Sequence, residues 1–338
     1  MKKPNKKELK LISEATQRKT SGLGLRNARI NAAYIKKTIK DLMDVAPRPA
    51  LVISAGPSLH NRHSLEAVKK SGFKGHLVAV DGTLGHCLRN GIVPDFVVTV
   101  DPHPHRIVRW FGDKKLARRP EDDYFRRQDL DPALNRKEVE RNNELIELVD
   151  RYGPRIKAII STSVSPDITK RCIEAGMDLY WWSPLYDDCE DPEGYSRRIY
   201  EITKTPCMVT GGNCGTSAWV FSHAVLKSPE VLLVGMDLSY PPGTDAGKVQ
   251  YYDIFKEIFP ENPGEGLIRV YNPYLKETWM TDPAYYWYSS GLIDMSRVAK
   301  CKTYNCTEGG ILFGGKIEFT SLKKALMVVM GKNKKKGG

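Results

Sequence analysis

Six short runs of apolar, often β-branched residues punctuate the chain. They are "ALVISA" (50–55), "HLVAVD" (76–81), "FVVTVD" (96–101), "KAIIST" (157–162), "DLYWWS" (178–183) and "VLLVGMDL" (231–238). Near-continuous apolar runs of this length fit strands covered on both faces. Between them lie amphipathic stretches with helical spacing, among them "HSLEAVKKSG", "LGHCLRNGI", "ITKRCIEAG" and "TSAWVFSHAVLKS". This alternation predicts an α/β fold built on a doubly wound, mostly parallel, Rossmann-like sheet. Ahead of it, residues 8–45 read as helical, with Leu9, Ile12, Ala15, Ile30, Ala33, Tyr34, Ile39 and Leu42 at helical spacings. Gly22 and Gly24 interrupt that pattern, and Pro47 and Pro49 close it.

Two regions break the rhythm. Residues 112–155 are highly charged; their second half reads as a helix capped by Asp131, with Pro132 in its first turn and Gly153-Pro154 as its stop. This segment is expected as an insertion over the cleft. Residues 239–290 are rich in Pro, Gly and aromatics. A long irregular segment of that composition predicts a substrate-side loop or lid, or else a packed irregular cap. The expected organisation is a basic helical extension (1–45), a Rossmann-type body (46–325) holding both regions, and a basic tail (326–338).

Composition alters this picture little. The chain has 338 residues, ample for a buried core, and its 41% hydrophobic and 27% charged content is ordinary for a globular protein. No apolar run reaches the roughly 18 residues a membrane helix needs. No apolar stretch follows the basic "MKKPNKKELK", so a cytoplasmic protein is the expectation. The seven cysteines form no C-x-x-C pair and read as reduced thiols. The formal charge of +12 is concentrated at the ends: residues 1–40 carry +10 and 323–338 carry +6, leaving −4 for the rest. Lysine-rich ends are expected as solvated tails with at most weak contact to an acidic partner.

The candidate chemistry lies at the ends of the apolar runs. The first ends in Gly56-Pro57-Ser58, the second at Asp81 with Thr83 close behind, the third at Asp101, the fourth in Ser161-Thr162-Ser163, and the sixth at Asp237. Ligands of open α/β sheets bind beyond the carboxyl ends of the strands, so these residues are expected to share one cleft. "SAGPSL" directs backbone N–H groups at a helix start, which suits a phosphate or, equally, a tight turn capped by Ser58. "TGGNCGTSAWVF" (210–221) is a second such turn, with Gly211, Gly212, Asn213, Gly215, Thr216 and Ser217 before a helix. Neither a P-loop nor a G-x-G-x-x-G fingerprint occurs. "TVDPHPHRIVRW" (99–110) offers Asp101, His103, His105 and Arg106 for acid–base work or a metal, with a capped His-rich loop as the alternative. "YNCTEGGILFGG" (304–315) adds Thr307 and Glu308, on a final strand and turn returning to the cleft or, equally, in a hairpin turn.

Taken in order, "AGPSL", "AVDGTL", "GIVPDFVVTVDP", "GGNCGTSA", "LLVGMDLSY" and "NCTEGG" resemble the MptE-like family over about residues 45–325. That family includes archaeal 6-hydroxymethyl-7,8-dihydropterin diphosphokinases and bacterial motility accessory factors associated with adding nonulosonic acids to flagellin. Its fold is similar to that of bacterial sialyltransferases whose Gly-Pro-Ser turn contacts a CMP-sugar. The resemblance implies that Gly56, Pro57, Ser58 and the Asp81–Thr83 region hold a nucleotide. It implies that Gly212, Asn213, Gly215 and Thr216 complete the phosphate side, and that Asp101 faces the reacting centre. Asp237, Thr307 and Glu308 would then meet the substrate.

Two branches are open. The first is a glycosyltransferase with a CMP-sugar donor and a glycan, protein or small-molecule acceptor, using Asp101 or His103 as acid/base. The second is a pterin diphosphokinase using ATP and Mg²⁺, with Asp101 on the metal and Trp181-Trp182 or the aromatic segment stacking on the pterin. The third strand end carries one acid where the diphosphokinases tend to be Asp-rich. The aromatic segment and "NCTEGG" look more like the motility accessory factors, which are usually longer. A non-catalytic nucleotide-binding protein is the third reading.

Overall fold

The computed structural model describes residues 21–119, 138–249 and 251–334. All six apolar runs form strands: β1 (Ala50–Ile53), β2 (His76–Val80), β3 (Phe96–Thr99), β4 (Lys157–Ser161), β5 (Asp178–Leu185) and, after a short β6 (Cys207–Val209), β7 (Glu230–Val234). With β10 (Lys302–Asn305) and β11 (Ile317–Phe319) they make one nine-stranded sheet in the order β11-β10-β7-β1-β2-β3-β4-β5-β6. Every pairing in it is parallel. β8 (Ile268–Asn272) and β9 (Glu277–Thr281) form a separate antiparallel hairpin.

Alternate residues of the central strands enter opposite cores. Val52, Val78, Val98 and Ile159 face one side, where they meet Trp219 and Phe221. Leu51, Ile53 and Ala79 face the other, as do Val97, Ala158 and Ile160. Full burial on both faces is why these segments carry no polar alternation. Trp181 and Trp182 are both fully buried, one on each side of the sheet. They are therefore core residues rather than a stacking platform, because successive strand residues point to opposite faces.

The helices follow in chain order. α1 covers residues 21–31, and the single turn α2 (Ser58–Asn61) leads into α3 (Ser64–Ser71). Next come α4 (Asp81–Arg89), α5 (Glu138–Tyr152), α6 (Pro166–Glu174) and α7 (Tyr195–Thr203). α8 (Cys214–Val220), α9 (Tyr252–Ile258), α10 (Pro283–Val298) and α11 (Leu322–Lys334) complete the set. Gly22 and Gly24 lie inside α1 rather than interrupting it. A Cβ at Gly24 would meet the Tyr195 hydroxyl at 2.0 Å, so the small residue lets α1 pack closely.

In the charged segment, α5 packs Leu145 and Val149 onto the sheet-side core with Leu84, Leu88 and Phe111. Its expected Asp131 cap and Pro132 lie outside the described residues, as do residues 8–20, which the sequence pattern reads as helical. Residues 239–290 hold α9, the β8–β9 hairpin and the first half of α10. The terminal α11 buries Leu322, Ala325, Leu326 and Val329 against β1, β7 and α3. Among the described residues, no helix is long and apolar enough to cross a membrane.

Candidate functional site at the sheet reversal

The strand order reverses once. From β1 the chain winds outward through β2 to β6, and β7 then returns to the opposite flank of β1. The crevice at such a reversal, beyond the carboxyl ends, is where ligands of doubly wound sheets bind. Gly56-Pro57-Ser58 leaves β1 there and Asp237 leaves β7.

These two exits are joined directly. The Gly56 N–H donates to the Gly235 carbonyl at 2.7 Å. A Cβ at Gly56 would lie 2.1 Å from Asp237 Oδ2 and 2.4 Å from the Gly235 carbonyl. Glycine is thus required by the close approach of the two strand exits. Ser58, the first residue of α2, is buried; its hydroxyl donates to Asp237 Oδ1 and its N–H to Oδ2 at 3.3 Å. Asp237 is 1% exposed. Burial pushes its carboxyl up from 3.8 to about 7, against the downward pull of both Ser58 bonds.

The "NCTEGG" turn closes over this pair. A Cβ at Gly309 would sit 2.0 Å from Ser58 Oγ, and one at Gly310, whose φ is +77°, would sit 2.1 Å from the Asp237 carbonyl. The Thr307 hydroxyl accepts the Met236 N–H at 3.0 Å. The Glu308 carboxylate accepts the Leu322 N–H at the start of α11, at 3.1 Å, while its carbonyl accepts from Arg62. Both side chains hold the wall of the crevice together.

One strand over, Asp81 opens α4 and is 7% exposed. Its carboxylate accepts Thr99 Oγ1 at 2.8 Å and the Gly82 N–H at 2.7 Å. Burial raises it to about 6, and the nearby charge of Asp101 adds to the rise. The Thr83 hydroxyl is spent on the Ile53 and Val80 carbonyls, both at 3.0 Å. Asp101, at the exit of β3, is half-buried and accepts the His103 N–H at 2.7 Å. Burial pushes its carboxyl up while that bond and Arg106 hold it down. His103 Nδ1 accepts the His105 and Arg106 N–H groups, each at 3.2 Å. A neutral imidazole so held carries its proton on Nε2. His105 Nδ1 instead meets Arg119 at 2.9 Å, within an ion-pair network with Asp113 and Asp167.

The second glycine-rich turn folds against the same exits. Gly211 and Gly212 have φ of +61° and +93°. Asn213 caps α8, accepting the Thr216 N–H at 3.0 Å and donating to its hydroxyl at 2.7 Å. A Cβ at Gly215 would meet Met236 at 2.7 Å and Ser54 Oγ at 2.8 Å, which brings the turn against the ends of β1 and β7.

Three residues here escaped the sequence reading. Cys214 donates its thiol to the Val98 carbonyl at 2.9 Å, beside Asp81 and Asp101, and burial pushes that thiol well up. Tyr186, at the exit of β5, is 46% exposed, its ring lies tilted 5.5 Å from that of Tyr195, and it feels the charge of Asp101. Tyr288 of α10 lies over Gly212 and is raised to about 12 by burial, with Asp282 and Asp101 adding to the rise. Tyr186 directly follows β5, which runs two residues past the fifth apolar stretch, so the polar end expected there fell short of it. Tyr288 and Cys214 carry no such signal. Among the described residues, no three His, Cys, Asp or Glu side chains converge as a metal cage. Asp81 and Asp101 stand near enough for their charges to interact, with both Asp81 oxygens already accepting from Gly82 and Thr99.

The fold and crevice define a doubly wound parallel α/β protein with three carboxylates at the ends of β7, β2 and β3, on either side of β1 at its topological switch. Residues 26–117 match the family model described as 6-hydroxymethylpterin diphosphokinase MptE-like, the family the ordered motifs resemble. A solved structure, the MAf glycosyltransferase from Magnetospirillum magneticum AMB-1, shares the fold with a TM-score of 0.50 and 13% identity. The match covers 91% of this chain and 42% of that protein, so this chain spans less than half its length. No curated protein matches the sequence.

Proposed function

We propose that the chain is a nucleotide-dependent transferase, acting on a nucleotide-sugar donor of the nonulosonic-acid type. The observation that carries this reading is the crevice at the sheet reversal, where Asp81, Asp101 and Asp237 leave three strands beside the half-exposed Tyr186. The donor phosphate would lie between the Gly56–Ser58 and Thr210–Thr216 turns. Asp101, half-buried with its carboxyl raised, suits the base that takes the acceptor's proton. His103 would take the opposite role, as the acid for the leaving group, since its Nδ1 accepts the His105 and Arg106 N–H groups and leaves the proton on Nε2. The fold shared with a glycosyltransferase supports a sugar donor, and the MptE-like match supports a nucleotide-dependent transferase of either kind.

A pterin diphosphokinase is the second reading, and one observation favours it. Asp81 stands close enough to Asp101 to raise its carboxyl, supplying a second acid for Mg²⁺ that the third strand end alone lacks. A thermal-shift panel separates the two. Stabilisation by CMP without metal supports sugar transfer, and stabilisation by ATP or AMP analogues only with Mg²⁺ supports diphosphate transfer. No shift with any nucleotide refutes both. Asp101→Asn should keep the nucleotide shift and lose at least 100-fold in turnover, in the range that general-base loss produces.

A further inference from the structure

Two buried asparagines of α1 reach the loops that leave β3 and β4. Asn27, 5% exposed, donates from Nδ2 to the Pro102 carbonyl at 3.0 Å and to the Ser163 carbonyl at 2.9 Å. Asn31, fully buried, donates to the Thr162 and Val164 carbonyls at 3.0 and 2.9 Å, and its Oδ1 accepts the Thr169 hydroxyl at 2.9 Å. The two residues are chemically alike and share the β4 exit, but only one of them also reaches the β3 exit. Asn31 ties only the β4 exit, whereas Asn27 bridges it to Pro102, the residue between Asp101 and His103. The turn it touches is already tight, since the His103 N–H donates to Asp101 Oδ1 at 2.7 Å. The rest of α1 is held by a small cluster of its own, Leu25 and Ala28 against Tyr195 and Ile199, set apart from the main cores.

We infer that Asn27 is a positioning residue: it fixes the Asp101–His103 turn against the β4 exit and so sets the direction of both side chains into the crevice. The inference rests on the transferase reading for its effect on chemistry, but not for its effect on the loop. α1 is accordingly part of the site's frame, although it lies outside the crevice and carries none of the motif residues. A buried amide that donates twice cannot be replaced by a carboxylate, which would face two carbonyl oxygens with no donor.

The test is a matched pair in the full chain, Asn27→Asp and Asn31→Asp, with Asn27→Ala and Thr169→Val as milder substitutes if either fails to fold. The first readout is backbone amide hydrogen exchange at residues 101–106. Asn27→Asp should speed exchange there at least tenfold and Asn31→Asp should not. The second readout is turnover on whichever donor the nucleotide panel selects. Asn27→Asp should lower kcat by roughly 10- to 100-fold, as a misplaced reacting group does, with donor KM changed less than about threefold. Exchange at 101–106 that is unchanged, or raised equally by both substitutions, overturns the inference. A wild-type chain that turns over no donor removes the transferase reading alone, and the exchange result still decides the role of Asn27.

Discussion

Replacing Asp237 by Asn removes one charge at the centre of the crevice and leaves the shape almost unchanged. In the folded protein the Asp237 carboxyl is raised from 3.8 to about 7, chiefly by burial. A rise of that size corresponds to a differential on the order of 4 kcal/mol between the two protonation states. The sign follows from linkage. A carboxyl raised by folding binds its proton more tightly in the native state. Its contribution is therefore full below about pH 4 and lost progressively as pH rises through about 7. Asn carries no such dependence, while its amide oxygen still accepts from Ser58. Urea unfolding of both proteins from pH 4.5 to 8 should show the stability difference shifting toward Asp237→Asn by up to about 1.4 kcal/mol per pH unit. Above about pH 7 the difference should level off. Because Asp81 and Asp282 are also raised, each to about 6, only the difference between the two proteins isolates Asp237. A difference constant within about 0.5 kcal/mol over the range would refute the reasoning, since an unperturbed or exposed carboxylate gives that result.

Gly310→Ala should cost at least about 3 kcal/mol or prevent folding, because it combines positive φ with a 2.1 Å approach to the Asp237 carbonyl. Gly291→Ala, inside α10 with nothing within 4 Å, should instead stabilise by roughly 0.5–1 kcal/mol in the same unfolding assay. Tyr240→Phe removes the 2.7 Å hydrogen bond to the fully buried Asp282, which also caps α10 through the Tyr285 N–H. It should cost roughly 1.5–3 kcal/mol by denaturant titration at pH 8 and less at pH 5, where Asp282 is protonated in both proteins.

The apolar runs were legible because the central strands are covered on both faces, which writes burial into consecutive positions. β6 and β11 carry no strand pattern in the sequence, and β10 only partly overlaps the final strand and turn expected at 304–315. "CMV", "KTYN" and "IEF" are short; β6 and β11 are the two edge strands, with one neighbour each, and β10 lies next to the edge. α10 begins with a plain signal, Asp282 as cap and Pro283 in the first turn, but the density of aromatics around it reads as loop. The strand-end acids Asp81, Asp101 and Asp237 could be named from the sequence, and the topology gathers them at one end of the sheet. What joins Ser58 to Asp237 could not be named, because 179 residues separate them. The same holds for Asn27 and Pro102, 75 residues apart. Such pairings follow from the reversal in strand order, which no local pattern encodes.

That reversal also shapes how the chain comes off the ribosome. β1 and β2 are made close together, but the strand for the other flank of β1, β7, is made about 180 residues later. Until then four wholly apolar residues, Ala50 to Ile53, form an unprotected sheet edge, the kind of surface that recruits chaperones or drives aggregation. The strand that anchors the crevice is thus the one the nascent chain must shield longest.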